Sequence, residues 1–368
     1  MNQALSLDQL RSILDSANIE AVSLDEITQF FLNETSIAEF APDGIYQVDL
    51  RNGDRIIYNS ARAKRPHDNR PNASTPAPIG DEKPCLICDG KTTRVVDVAS
   101  LSEGFTFINK NLFPSLYPTT DMPTETNVDS YSPKGSNGLA VAGYHFLQWT
   151  SSQHDKDWHN MPLEDRIIVM NRLAVLEKKM LIGKKQFVSV IKNYGRLVGG
   201  SLVHGHQQIG VSNIMPNRIR QNKTFADKFS ETFSTYMLRE NPKSLTIRDF
   251  GEAVLVTPYF MRRPYDMQLI LKDTTKPYLH MLNSEDIRAI ADGWRDAIRI
   301  ILDIMPQIGR ETAYCVTTHN GPGAGLYFEF LPYTQETGGF EHLGLYLCQG
   351  NPKAAATRAR EILTAYPE

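Results

Sequence analysis

Lys192-Asn-Tyr-Gly195-Arg-Leu-Val-Gly199-Gly200-Ser201-Leu-Val-His204-Gly-His206-Gln-Gln208-Ile-Gly210 is the stretch on which the reading of this chain turns. Gly195, Gly199 and Gly200 let the backbone turn tightly and approach a ligand closely. Such a turn can aim several backbone N–H groups at one point, which suits a phosphate oxygen, and Ser201 adds a hydroxyl. If the segment beyond is a strand, its period of two puts His204, His206 and Gln208 on one face. Two imidazoles and an amide beside a glycine turn make a site for attack on phosphorus. The plainer alternative is a half-buried strand whose histidines hydrogen-bond locally. A Walker loop is excluded, because no Gly-Lys-Ser or Gly-Lys-Thr closes the glycine run.

Upstream, Ile45–Leu50 and Arg55–Asn59 are rich in strand formers and flank Arg51-Asn-Gly-Asp54, an Asn-Gly hairpin signal. Arg62, Lys64 and Arg65 follow at once. They form either a solvated sheet edge or a cluster that neutralises substrate phosphate. Residues 67–84 are rich in Pro, Asn and Asp and read as a loop delivering Cys85-Leu-Ile-Cys88-Asp-Gly90. A C-x-x-C closed by a turn glycine is zinc-knuckle geometry, with His154, His159 and His204 available to complete the set. The redox alternative needs this motif at a helix start after a strand. Phe105–Ile108 reads as a strand, Asn111-Leu-Phe-Pro114 as a turn, and residues 117–137 as a long loop. Residues 138–150 form a strand region, and Pro162 opens a helix to about residue 184.

Downstream the order helix, strand, glycine turn, strand recurs. A charged helix is expected over 216–240, strands over 253–260 and 266–273, and a helix over 285–305. The strand 312–318, the turn His319-Asn-Gly-Pro-Gly-Ala-Gly325 and the strand 326–332 complete the copy. A strand over His342–Cys348 and a terminal helix opened by Asn351-Pro352 follow. This repeat indicates a duplicated α+β unit. Tyr327 and Glu329 stand where the first copy has His204 and His206, so a nucleophile is expected only once. Ser6-Leu-Asp-Gln9 and Ser23-Leu-Asp-Glu26 are capping-box patterns and predict helices over 6–17 and 23–35, a small N-terminal helical appendage.

With 368 residues the chain has ample core for two domains or one large one, and a net charge of −3 points to neither nucleic acid nor an anionic membrane. No run has membrane-spanning length, and Met1–Leu14 lacks a signal-peptide pattern, so the cytoplasm is the expected compartment. Four cysteines in a chain this long do not make a disulfide framework.

His204-Gly-His206-Gln-Gln208 resembles the His-x-His-x-Gln signature of the galactose-1-phosphate uridylyltransferase-like family in the histidine-triad (HIT) superfamily. The basic segment Ser60–Pro66, the Cys85/Cys88 pair, the Asn111-Leu-Phe-Pro114 turn and the Asn193…Ser201 loop are similar to further family segments in the same order. The likeness runs over roughly residues 44–365 and is stronger in the first half. It implies an α+β fold of duplicated HIT-like half-domains with antiparallel sheet and packed helices. The expected divisions are an appendage over 1–40, a catalytic half with the zinc knuckle over 41–215 and a degenerate half over 216–368.

By the same resemblance His206 is the nucleophile and Gln208 hydrogen-bonds the phosphoryl group it carries. Cys85, Cys88, His154 and His204 bind zinc, with His154 fitting the family spacing better than His159. Arg62 and Arg65 face the phosphates, Asn193 and Ser201 line the α-phosphate pocket, Gly199 and Gly200 belong to the phosphate and nucleotide loop, and Asn111 belongs to a nucleotide-binding turn. The implied activity is nucleotidyl transfer between a nucleotide sugar and a sugar 1-phosphate through a covalent histidine intermediate, in a homodimer. A phosphorylase using inorganic phosphate, and a silent nucleotide-binding protein, are the alternatives. The sequence departs from the family pattern at Leu112, at Tyr327 and Glu329, and near Tyr346, where the family's hexose-binding glutamate falls.

Overall fold

The computed structural model describes residues 17–34, 40, 44–59, 85–118, 139–181, 186–200 and 202–366. The expected helix over 6–17 and the basic segment with Arg62 and Arg65 lie outside them, as does Ser201.

The elements follow in chain order from local chemistry. Helix α1 (Leu24–Leu32) starts at Ser23, whose hydroxyl accepts the Glu26 amide while the Glu26 carboxylate accepts the Ser23 amide at 2.8 Å. Strands β1 (Ile45–Asp49) and β2 (Asp54–Ile57) form the expected hairpin, with Tyr46 opposite Ile57 and Gly53 at φ +73° in the turn. Next come β3 (Val95–Ser100), β4 (Phe105–Lys110), β5 (Leu139–Ala140), β6 (Gly143–Trp149), α2 (Leu163–Leu181), β7 (Phe187–Tyr194) and β8 (His206–Ser212). The second half supplies α3 (Asn217–Phe229), α4 (Phe233–Glu240), β9 (Thr246–Asp249), β10 (Ala253–Val256) and β11 (Met267–Leu271). It ends with α5 (Ser284–Gln307), β12 (Tyr314–His319), β13 (Tyr327–Pro332), α6 (Gly339–His342) and α7 (Pro352–Thr364).

Two compact units divide the chain: Met1–Asp155 with Lys178–Val188 and Gln208–Asn217, and Lys156–Glu177 with Ser189–Gln207 and Arg218–Glu368. In the first, β2, β1 and β5 make a small sheet, and the order β3-β4-β6-β8 a larger one. The pairs β3/β4 and β4/β6 are antiparallel. Phe105, Phe107 and Trp149 form its core with Val95 and Ile87. Helix α1 packs here by setting fully buried Phe31 edge-on to Tyr144 and Phe146 of β6.

In the second unit the order is β7-β12-β13-β11-β10-β9, with Lys192 opposite Val316, Val316 opposite Phe330 and Phe330 opposite Met267. Alternation sends Phe328 and Phe330 to one face, where Trp294 of α5 meets both edge-on at about 5.5 Å. Helix and sheet approach closely there, since a Cβ on Gly293 would lie 2.4 Å from a Leu269 methyl. Asn283 caps α5 by accepting the Glu285 and Asp286 amides. Both units are thus antiparallel sheet with packed helices, the expected α+β class. Among the described residues no helix is long and apolar enough to cross a membrane.

Two expectations need correction, and one strand was not expected. The single helix expected over 216–240 is two, because Ser230 turns left-handed at φ +58° and Thr232 caps a new start by accepting the Thr235 amide. The segment 342–348 is not a strand: after α6, the Glu341 carboxylate accepts the amides of Gly338 and Leu347 and folds the chain into a closed loop. Strand β9 had no separate signal, being only four residues long with two charged among them.

Candidate active site

Strand β7 alternates buried and half-buried residues up to Tyr194, and the glycine turn begins at once. Gly195 and Gly199 adopt φ +88° and +79°, values that side-chain-bearing residues rarely take. A Cβ on Gly200 would lie 2.8 Å from both the nitrogen and the carbonyl oxygen of Gly195. The chain therefore doubles back on itself here only because these positions are glycine. The amides of Gly199 and Gly200 donate to the carbonyls of Arg196 and Gly195, so within this turn they close the loop rather than project from it.

His204 and His206 follow, both buried. Strand β8 begins only at His206, so His204 precedes the ladder instead of alternating within it. The reason is a local bond: His206 Nδ1 lies 2.8 Å from the His204 carbonyl oxygen. A carbonyl can only accept, so Nδ1 carries the proton and Nε2 keeps its lone pair. Burial first, then the charge of Lys192, pushes the His206 imidazole down to about 4. The ring is neutral near pH 7.

Sequence reading missed the support beneath this strand. Lys192 of β7, 1 % exposed, donates from Nζ to the His206 carbonyl at 3.1 Å and pairs with Asp157 at 2.7 Å. Burial would raise the Asp157 carboxyl, but the Lys192 charge and hydrogen bond outweigh it and hold the group below the usual carboxylate range. The next residue, Trp158, donates from its indole to Gln207 Oε1 at 3.1 Å. The His206 carbonyl and the side chain of the next residue are thus pinned. A lysine directly after the largely apolar Val188–Ile191 run was the available signal.

The neighbouring turn is equally specific. Asn111 accepts the Phe113 amide in an Asx turn. His145 of β6, also missed, accepts the Ser115 amide on Nδ1 at 2.9 Å, so its Nε2 carries the proton. That Nε2 lies 3.0 Å from Gln208 Oε1. The Gln208 carbonyl is occupied, and its NH₂ is the end that remains to donate. Asn193 sits half-buried on β7 opposite Cys315.

Cys85 to Lys91 form a tight knuckle in which the Asp89, Gly90 and Lys91 amides donate back to Cys85, Ile87 and Leu86, with Gly90 at φ +73°. Neither cysteine forms a disulfide, and the motif is not at a helix start, which removes the redox geometry. Cys88 Sγ lies 3.5 Å from His154 Nδ1. Ligand atoms of Cys85, Cys88, His154 and His204 all fall within 4.8 Å of one another. Burial and the adjacent Cys85 push the Cys88 thiol up to about 11, the crowding that a bound dication relieves by taking thiolates. Two sulfurs and two imidazoles can hold a metal ion, and His159 is not among them.

No protein-family profile matches the chain. ADP-glucose phosphorylase of Arabidopsis thaliana is 22 % identical over 329 residues, 83 % of this chain and 90 % of that protein. Galactose-1-phosphate uridylyltransferase of Saccharomyces cerevisiae is 24 % identical over 237 residues, 59 % of this chain and 63 % of the relative. A solved uridylyltransferase superposes with a TM-score of 0.69 at 17 % identity, covering 88 % of this chain and all of the other. The chain shares the fold of that uridylyltransferase and is similar in sequence to both enzymes.

Within this uridylyltransferase-like fold the second half has closed its counterpart of the histidine pair. Tyr327 stacks on His319 at 4.4 Å and donates to Asn222 Oδ1. Glu329 bonds His319 Nε2 at 2.8 Å and accepts from Gln268 at 3.1 Å. Burial would raise the Glu329 carboxyl, but His319 outweighs it and holds the group near 2. Among the described residues no second group of three metal-ligating side chains comes together.

Proposed function

We propose that the protein transfers a nucleoside monophosphate from a nucleotide sugar through a covalent adduct on His206. Nε2 of His206 attacks the α-phosphorus. A P–N bond forms, the P–O bond to the sugar phosphate breaks, and the sugar 1-phosphate leaves with the electron pair. A phosphate oxygen of the acceptor then attacks phosphorus and breaks the P–N bond, returning neutral imidazole. The observation that carries this reading is the 2.8 Å contact of His206 Nδ1 with the His204 carbonyl, which leaves Nε2 as the nucleophile. The NH₂ of Gln208, left by the His145 bond, donates to a non-bridging oxygen as charge develops. Asn193 and the residues Gly199, Gly200 and Ser201 line the phosphates, Asn111 belongs to the nucleotide-binding turn, and Arg62 and Arg65 balance the phosphate charge.

In this reading Cys85, Cys88, His154 and His204 hold zinc in a closed four-ligand site. Its chemistry is structural: it fixes His204, whose carbonyl sets the His206 tautomer. Residues 41–215 act as the catalytic half and 216–368 as the degenerate one. A sugar 1-phosphate is the leading acceptor. Inorganic phosphate is a second reading, favoured by the match along 90 % of ADP-glucose phosphorylase. Incubation with UDP-, ADP- and GDP-sugars, with sugar 1-phosphate or with inorganic phosphate, separates them by product. Turnover with none of these donors would sink both.

The chain also acts as a homodimer in this reading. Phe340 of α6 and Leu343, Leu345 and Leu347 of the loop after it are 56–77 % exposed, an apolar surface that a partner's covering would remove from water. Light scattering at micromolar concentration is expected to give twice the chain mass. Monomer mass with full activity in the same sample contradicts it.

A further inference from the structure

Helix α1 docks on β6 through Phe31, but the polar groups of its last turn go elsewhere. A helix leaves its last carbonyls without regular partners, and here two consecutive ones are taken up by side chains of the first unit. The Phe30 carbonyl accepts from Lys110 Nζ, and the Phe31 carbonyl accepts from the Tyr117 hydroxyl at 3.0 Å. Just beyond the helix, the Glu34 carboxylate pairs with the same Lys110 Nζ at 2.9 Å. Lys110 is 1 % exposed, so its ammonium has given up water for these partners. Burial pushes it below the usual lysine range, against the pull of Glu34. A cation at a helix C-terminus also meets the negative end of the helix dipole.

Lys110 and Tyr117 bracket the turn that begins at Asn111. Inside the bracket the Phe113 amide donates to Asn111 Oδ1, and the Ser115 amide donates to His145 Nδ1. The other nitrogen of His145 is the one 3.0 Å from Gln208 Oε1, so the turn stands beside the strand that carries Gln208. A third contact comes from further along the appendage, where the Phe40 ring meets Phe113 edge-on at 4.6 Å. The appendage therefore holds this turn before it, after it and at its centre. Thr28 of the same helix bonds Tyr144 of β6 instead, at 2.6 Å.

We propose that the N-terminal appendage positions the Asn111 turn for the nucleotide, with Glu34 and Tyr117 as positioning residues. Glu34 holds the leading end of the turn through Lys110, and the Phe31 carbonyl holds the trailing end through Tyr117. The proposal rests on the transfer reading for what the turn holds. A loose turn loses conformational entropy when a ligand orders it. Fixing both ends beforehand moves that cost from binding to folding. The nucleotide meets the turn in the ground state and the transition state alike, so loosening the turn acts on KM and not on kcat.

Isothermal titration of the full chain with UMP, AMP and GMP measures nucleotide binding without turnover. At least one is expected to bind saturably to wild type. Glu34→Ala and Tyr117→Phe should each weaken that nucleotide about fivefold or more, the effect of one lost hydrogen-bond partner. Both should raise the donor KM alike and leave kcat unchanged. Thr28→Val removes a bond to β6 alone, so it should lower thermal stability and leave nucleotide affinity as it is. Hydrogen exchange of the unliganded chain should quicken at the Phe113 and Ser115 amides in Glu34→Ala and Tyr117→Phe, whatever His206 does. Circular dichroism checks folding, and Glu34→Gln replaces Glu34→Ala if the latter is not folded. Unchanged exchange at those amides, equal nucleotide affinity in wild type and both variants, or an equal loss in Thr28→Val overturns this proposal and leaves the transfer reading standing. Wild type that binds none of the three nucleotides overturns both.

Discussion

Lys192 Nζ and the carbonyl oxygen of His206 are 3.1 Å apart, and that bond joins the start of β8 to a buried ion pair with Asp157. The main chain carrying the candidate nucleophile is thereby fixed from beneath, independently of the Nδ1 bond that fixes its ring.

Lys192→Met should therefore be costly, because it leaves Asp157 buried without its cation. Breaking one partner of a buried pair costs about 3–5 kcal/mol. Asp157→Asn should cost a similar amount. The double variant Lys192→Met/Asp157→Asn should lose clearly less than the sum of the single substitutions. Urea unfolding of the four proteins measures the coupling; strict additivity would show that the pair is not coupled.

Cys88→Ser should lower metal content and thermal stability together, since metal binding and folding are linked. Metal analysis of the wild type should find about one zinc per chain. Wild type without metal and as stable as chelator-treated protein contradicts the assignment.

Asp266 gives a pH dependence of definite sign. Burial raises its folded value from 3.8 to about 7, so the folded chain holds this proton more tightly than the unfolded chain. The stability it contributes is complete below about pH 4 and is lost as pH rises through 7. Asp266→Asn removes the ionisation. The difference in stability between wild type and Asp266→Asn should therefore move against wild type between pH 4 and 7. A pH-independent difference would mean that the carboxyl is not perturbed.

The parts of the site legible in the sequence are those written in local spacing. Gly195, Gly199 and Gly200 announce the turn because only glycine tolerates it, and Cys85-x-x-Cys88-x-Gly90 announces its own knuckle. The Asn-Gly hairpin and the Ser23 and Asn283 caps are equally local. Lys192, Asp157 and His145 were not legible. Each acts on a residue far away in the chain, and its meaning depends on which strands become neighbours. The loop after Gly338 misled for a related reason. Leu343, Leu345 and Leu347 alternate as a strand would, but the Glu341 carboxylate captures the Leu347 amide, and Gly344 turns left-handed at φ +84°.

Intact-mass spectrometry after incubation with a nucleotide sugar tests the central claim most directly. Wild type should gain one nucleoside monophosphate, located on His206 by peptide mapping and discharged when acceptor is added. His206→Ala should stay folded, gain no mass and show no transfer. Turnover by wild type without any adduct, together with an active His206→Ala variant, would contradict the double displacement.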